Sequence, residues 1–278
     1  MNNKNSRNFE RKYTNDKKAK EKKADFSDVR AEDENEYIYG RNAVMEMLKS
    51  GKTINKLFVS QGEHEGSLSL IVAQAKAAGI PIAATAKEKL DMMSSGGNHQ
   101  GVVASAAAVE YVDLDRLFEI SNEKGEPPFF VICDGVEDPH NLGAIIRSAE
   151  GAGVHGIIIA KRRCCPVTAT VAKASAGAIE HIAVARVSNI ASAVDELKKR
   201  GVWIYGAEAD GTNLYKADLK GSAAFVVGSE GDGISHIVRE KCDFMLSIPM
   251  YGKVNSFNVS CAAAVIVCAA ANARHSEK

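Results

Sequence analysis

From Phe129 onward the chain repeats one pattern: an apolar run, a loop of Gly, Asn, Asp or Ser, then apolar residues at helical spacing. Strands separated by helices cannot pair as hairpins. They lie mostly parallel, in a sheet that the helices cover. The pattern predicts strands over 129–133, 156–160, 182–185, 202–207, 223–227 and 244–248, with helices over 142–152, 169–176, 190–200, 234–240 and 258 to about 274. Open sheets of this kind bind ligands at the carboxyl ends of their strands, so the loops after the strands are the places to look for chemistry.

The residues before Phe129 divide in three. Residues 36–110 alternate helical segments (41–49, 68–78, 87–93) with strand-like ones (54–59, 80–83, 102–109), which predicts a smaller α/β unit. Residues 111–128 are polar, carry the short amphipathic set Leu114, Leu117, Phe118 and Ile120, and end in Gly-Glu-Pro-Pro; they read as a linker. Residues 1–35 are crowded with Lys, Arg and Asn up to about Lys23 and are mostly acidic from Asp25. Neither stretch has enough apolar surface to offset ordering entropy, so a disordered charged tail is expected. With 278 residues, 45% of them hydrophobic, the chain can bury two cores, one in 36–110 and one in 129–278.

Lys plus Arg equals Asp plus Glu at 35 each, so net charge alone does not call for a nucleic-acid partner; the basic stretch of the tail does offer RNA contact. The six cysteines show no paired metal spacing and several sit in apolar runs, which points to packing, no metal, and a reducing cytoplasm. The start lacks an apolar signal segment, and the longest apolar stretch, 261–271, is too short to span a bilayer. No membrane is expected.

Three loops concentrate polar groups. The first, Asp134 to Gly153, reads DGVEDPHNLGAIIRSAEGAG. It places Asn141 at the expected N-cap of a helix and Arg147 on that otherwise apolar helix. Capping explains an Asn there, and an exposed ion pair or a phosphate clamp explains the Arg. The second, Val226 to Ser235, presents Glu230 among Gly228, Gly231 and Gly233. It has no Lys for a Walker loop and no GxGxxG directly after a strand, which disfavours a nucleotide-dependent dehydrogenase. The third compresses Asn255, Ser256, Asn258 and Ser260 ahead of an Ala/Val/Ile helix.

In this order, N-L-G-A-I-I-R-S-A, G-S-E-G and N-S-F-N-V-S resemble the SpoU (SPOUT class, TrmH-type) family of S-adenosylmethionine-dependent RNA 2'-O-ribose methyltransferases. YIYGRNAVMEML and NHQGVVA resemble the ribosomal-protein-like RNA-binding module of the branch acting on a guanosine of large-subunit (23S) ribosomal RNA. The resemblance implies a catalytic domain with a trefoil knot, S-adenosylmethionine as cofactor, ribosomal RNA as substrate and a homodimer. It also implies that Gly228, Ile248 and Phe257 contact the donor, and that Asn141, Arg147, Glu230, Ser256 and Asn258 form the catalytic centre. Phe257 stands where the family more often has Leu. Within that centre Arg147 is expected to clamp a phosphate and Glu230 to orient it. Two other readings remain: a transfer-RNA ribose methylase, and a non-catalytic RNA-binding assembly factor that keeps the fold.

Overall fold

The computed structural model describes residues 37–50, 52–62 and 65–276; the tail expected over 1–35 lies outside them. The first unit runs β1 (Tyr37–Tyr39), α1 (Arg41–Lys49), β2 (Ile54–Ser60), α2 (Ser67–Ala77), β3 (Ile82–Thr85), α3 (Lys87–Met93) and β4 (Val102–Ala106). Its sheet has the order β1-β4-β2-β3, with β4 antiparallel to β1 and β2, and β3 parallel to β2. Successive residues of a strand face opposite sides. Leu57 and Val59 therefore pack with Val44, Met47, Leu68 and Ile71 of α1 and α2, while Phe58 packs with Leu90 and Met93 of α3.

Residues 111–128 do not hang between two bodies. Val112 bridges to Ala185, and α4 (Leu114–Glu123) begins at Asp113, whose side chain accepts a hydrogen bond from Arg116 N. Leu117 is wholly buried against Gly156, where a Cβ would stand 2.4 Å from Leu117 Cδ2, and Phe118 meets Phe130 edge-on at 5.3 Å. Burying Leu117 contributes roughly 2 kcal/mol.

The second unit comprises β5 (Phe129–Cys133), α5 (Pro139–Gly151), β6 (Gly156–Ala160), α6 (Ala169–Ala174), β7 (Ala183–Val187), α7 (Ile190–Lys199), β8 (Trp203–Asn213), β9 (Ala223–Val227), α8 (His236–Lys241), β10 (Phe244–Ser247) and α9 (Val259–His275). All six strands are parallel, in the order β10-β8-β9-β5-β6-β7. Alternation again splits the core. Phe129, Val131 and Cys133 pack with Leu142, Ile145 and Ile146 of α5 and with Ile266 and Val267 of α9, whereas Phe130 and Ile132 pack with Leu117, Val194, Leu197 and Val238 of α4, α7 and α8.

The chain builds outward from β5 to β6 and β7, then crosses to the far side for β8, β9 and β10. Strand order reverses between β5 and β9, and there the loops at their carboxyl ends lie side by side. β8 extends beyond its expected end because its register against β10 jumps from Gly206 opposite Met245 to Thr212 opposite Leu246, so the residues between bulge out over the same edge.

Candidate active site

Helix α5 begins earlier than its apolar pattern predicts. The N-cap is Asp138, not Asn141: Asp138 Oδ1 accepts from the backbone N of His140 (2.7 Å) and Asn141 (2.9 Å), and Pro139 occupies the first turn. A proline there forfeits no bond, since first-turn amides have no helical partner. Capping by Asp138 leaves the Asn141 side chain free for another task.

That task is a cross-brace between the three polar loops. Asn141 Nδ2 donates to Glu230 Oε1 at 2.9 Å, while Asn258 Nδ2 donates to the same oxygen at 2.7 Å and to Asn141 Oδ1 at 3.0 Å. Asn258 is itself the N-cap of α9, its Oδ1 accepting from Ser260 N at 2.9 Å and Ser260 Oγ at 2.6 Å. Residues 117 apart in sequence thus share one carboxylate, and the second oxygen of Glu230 stays open among the described residues.

Main-chain packing shapes the glycine loop. A Cβ on Gly228 would lie 2.0 Å from the Gly233 carbonyl carbon and 2.3 Å from Ile234 N, which no other residue could accommodate without moving backbone. Ser229 and Gly233 bond to each other in both directions, at 2.9 and 3.2 Å, with Gly231 and Gly233 at φ 97° and 67°, where side chains are strained. Two carboxylates outside the sequence-derived set hold this loop: Glu208, on the bulge of β8, accepts from Ile234 N at 3.2 Å, and Asp134 accepts from Ser235 N at 2.8 Å. A lone acid after a strand gives no periodic signal, so only the fold could reveal them.

Around this loop lies a cleft of about 510 Å³. Gly228, Glu230, Ile248, Ser256, Phe257 and Asn258 all line it, so six of the eight expected residues meet in one cleft; Asn141 joins them through its hydrogen bonds. Leu246 and Ile266, each almost fully buried, form an apolar wall, and Phe257 is 46% exposed on the lining. An apolar wall beside main-chain groups suits an adenine, and the carboxylate of Glu208 suits a cationic sulfonium or ammonium. The residues present fit the methyl donor.

Arg147 is the exception. Six residues along α5 from Asn141, it is displaced by about 9 Å along the axis and about 240° around it. Its exposed side chain makes no hydrogen bond or ion pair with any described residue. Glu230, expected to orient Arg147, is held by the two asparagine amides instead, because Asn141 rather than Arg147 shares its side of the helix.

The cysteines divide by position. Burial pushes the thiols of Cys164 and Cys165 up to about 12 and raises that of Cys133 well above its ordinary value, so these remain protonated packing groups. Cys261 and Cys268, expected in a core, are exposed, because they lie on the side of α9 opposite Ala263, Ile266, Val267 and Ala270. Among the described residues no group of His, Cys, Asp and Glu could hold a metal ion.

Comparison with known proteins agrees with this arrangement. Over 235 residues the chain is 47% identical to the Bacillus subtilis (strain 168) protein YacO, of the TrmH family of tRNA/rRNA methyltransferases, spanning 84% of this chain and 94% of that one. The fold resembles that of the SpoU methyltransferase AviRb from Streptomyces viridochromogenes, solved with the cofactor AdoMet, at a TM-score of 0.56 and 23% identity over 87% of this chain and 92% of that one. A TrmH-family protein from Porphyromonas gingivalis matches at a TM-score of 0.50 and 25% identity over 86% and 90% of the two chains. Residues 37–112 match the substrate-binding family of RNA 2'-O ribose methyltransferases, and residues 128–268 match the SpoU rRNA methylase family. Braced polar loops at the strand-order reversal, the two family matches and the identity to YacO together make this chain an RNA methyltransferase of the SpoU family.

Proposed function

We propose that the protein uses S-adenosylmethionine to methylate the ribose 2'-hydroxyl of a guanosine in large-subunit (23S) ribosomal RNA. The observation that carries this reading is the Asn141–Glu230–Asn258 brace on the rim of a cleft suited to the donor. The cofactor supplies a methyl group already activated on a sulfonium, so the chain's own task is alignment and proton handling. The open oxygen of Glu230 accepts a hydrogen bond from the incoming hydroxyl, and the braced amides fix where that oxygen points. Ser256 lines the same cleft and adds a hydroxyl. Gly228, Ile248 and Phe257 hold the donor. Arg147, exposed and unpaired among the described residues, clamps a phosphate of the RNA. Its planar guanidinium fork suits a clamp better than a base.

In this reading residues 36–110 gather the RNA, 111–128 join the units, and 129–278 carry out the transfer in the cytoplasm. Among the described residues no helix is long and apolar enough to cross a membrane. The return of α9 from the edge strand β10 to pack against α5 supports the family's trefoil threading. The exposed side of α9, with Cys261 and Cys268, is a small-residue surface suited to a second copy, as the expected homodimer requires.

The test is methyl transfer from labelled donor to purified 23S ribosomal RNA and to transfer RNA, followed by mapping of the modified ribose. Modification of the ribosomal RNA alone supports the reading. Modification of transfer RNA alone replaces the substrate, and transfer to neither overturns the function.

A further inference from the structure

A second cleft, of about 530 Å³, opens between the two sheets. One side carries Tyr37, Lys56 and Ser105 from the face of the small sheet; the other carries Glu137, Asp138 and Pro139, the residues that lead into α5, and Arg163 to Pro166 after β6. We propose that this cleft is an RNA track: it holds the strand next to the target nucleotide, with Lys56, Arg162 and Arg163 on its phosphates, and delivers that strand to the Asn141–Glu230–Asn258 brace. The inference rests on the proposed function and extends the RNA contact surface from residues 37–112 onto the catalytic unit.

Three observations carry it. The first is charge. Arg163, on the lining, and Arg162, next to it in sequence, are exposed and make no ion pair with any described residue, and Lys56, also on the lining, has only the ring of Phe58, 5.1 Å away. The lining also carries two carboxylates, Glu137 and Asp138; Asp138 is turned to the first amides of α5, where the helix N-terminus offsets its charge, and neither pairs with these cations. Unpaired cations beside an open cleft are the groups that a phosphate chain neutralises. The second is backbone. Arg163 sits at φ 57°, a conformation costly for a side chain other than glycine, and such strain persists where surrounding structure enforces it. Here Cys165 N donates to Val136 O at 2.8 Å and fixes the Arg163 loop to the loop that starts α5. The third is continuity. Asp138, on the cleft lining, is the N-cap from which Asn141 follows within the first turn of α5, so a strand leaving the cleft along α5 reaches the brace without a detour.

The cleft has a rigid floor. Asn55, on its lining and 1% exposed, donates to Ala106 O (3.0 Å) and Val167 O (3.1 Å) and accepts from Tyr111 Oη (2.7 Å), while Arg186 donates to Asn55 O at 3.0 Å. The gap between the recognition surface and the brace is thereby set by buried contacts.

The test compares the full chain with the double variant Arg162→Gln/Arg163→Gln and, separately, Lys56→Gln. Binding of 23S ribosomal RNA fragments is titrated across salt concentration, donor binding is measured by calorimetry, and methyl transfer is measured over RNA concentration. The expected result for the double variant is RNA affinity lowered about tenfold or more, a log–log salt slope shallower by roughly 2, a raised KM for RNA with kcat kept, and unchanged donor affinity. Lys56→Gln should lower the slope by about 1. Unchanged RNA affinity and salt slope in both variants would overturn the track. Because RNA binding is read without turnover, an inactive wild-type protein counts against the proposed function alone, while the salt slopes still decide the cleft.

Discussion

Replacing Asn55 by alanine is expected to cost far more than its size suggests. The side chain makes two donated bonds, at 3.0 and 3.1 Å, and accepts one from Tyr111 Oη at 2.7 Å, with Arg186 Nη1 a longer fourth partner at 3.4 Å. Three well-formed bonds at about 1 kcal/mol each give about 3 kcal/mol. Arg186 Nε already lacks a partner, so further loss around that guanidinium adds toward about 4 kcal/mol. In urea, with a slope near 3 kcal/mol per molar for a protein of this size, the midpoint should fall by about 1 M. The control is Asn42→Ala on the exposed side of α1, where the change should stay within about 0.5 kcal/mol. An Asn55→Ala midpoint within about 0.3 M of wild type, at the same slope, would refute the idea that this buried cluster locks the two units together.

Three further outcomes are expected. Burial raises the Tyr111 hydroxyl to about 12, against an ordinary value of 10.0, so stability is fully present below pH 10 and should decline by roughly 2 to 3 kcal/mol as pH rises to 12; Tyr111→Phe, followed by alkaline denaturation, should flatten that decline. Glu230→Gln removes the charge that two asparagine amides share, and single-turnover methyl transfer should fall about 10- to 100-fold, the range for a charge-assisted hydrogen bond, with donor affinity within about threefold; a loss confined to donor affinity would contradict the assignment. Arg147→Lys keeps the charge but not the planar fork, so the rate should drop by roughly 2 to 4 kcal/mol at every pH; substantial activity that rises with pH as the amine deprotonates would identify a base instead.

Much of the second unit could be read in advance because periodicity carries it. The strands at Phe129–Cys133, Gly156–Ala160 and Ala223–Val227 fall where their apolar runs predict, and the loops after them hold the site. Features set by contact rather than pattern could not be read. Asp138 displaced Asn141 as the cap because Pro139 lets a helix begin before its first apolar residue. β1 is three residues long, too short for alternation to register. The bulge in β8 that brings Glu208 to the glycine loop, and the Asn55–Tyr111–Arg186 cluster, join residues far apart in sequence through single polar contacts. The motif placed Arg147 in the same group as Asn141, but helical geometry points the two side chains apart.

Asn258 has two duties that cannot be separated. One face of its amide starts the last helix, and the other ties that helix to Asn141 and Glu230. Selection for folding and selection for methyl transfer therefore act on the same side chain, and a library screened for thermal resistance alone should still retain asparagine at this position. Attempts to stabilise the enzyme by redesigning the start of α9 are constrained in the same way: a serine or aspartate would cap the helix as well, yet neither carries the amide hydrogens that hold the other two loops in place.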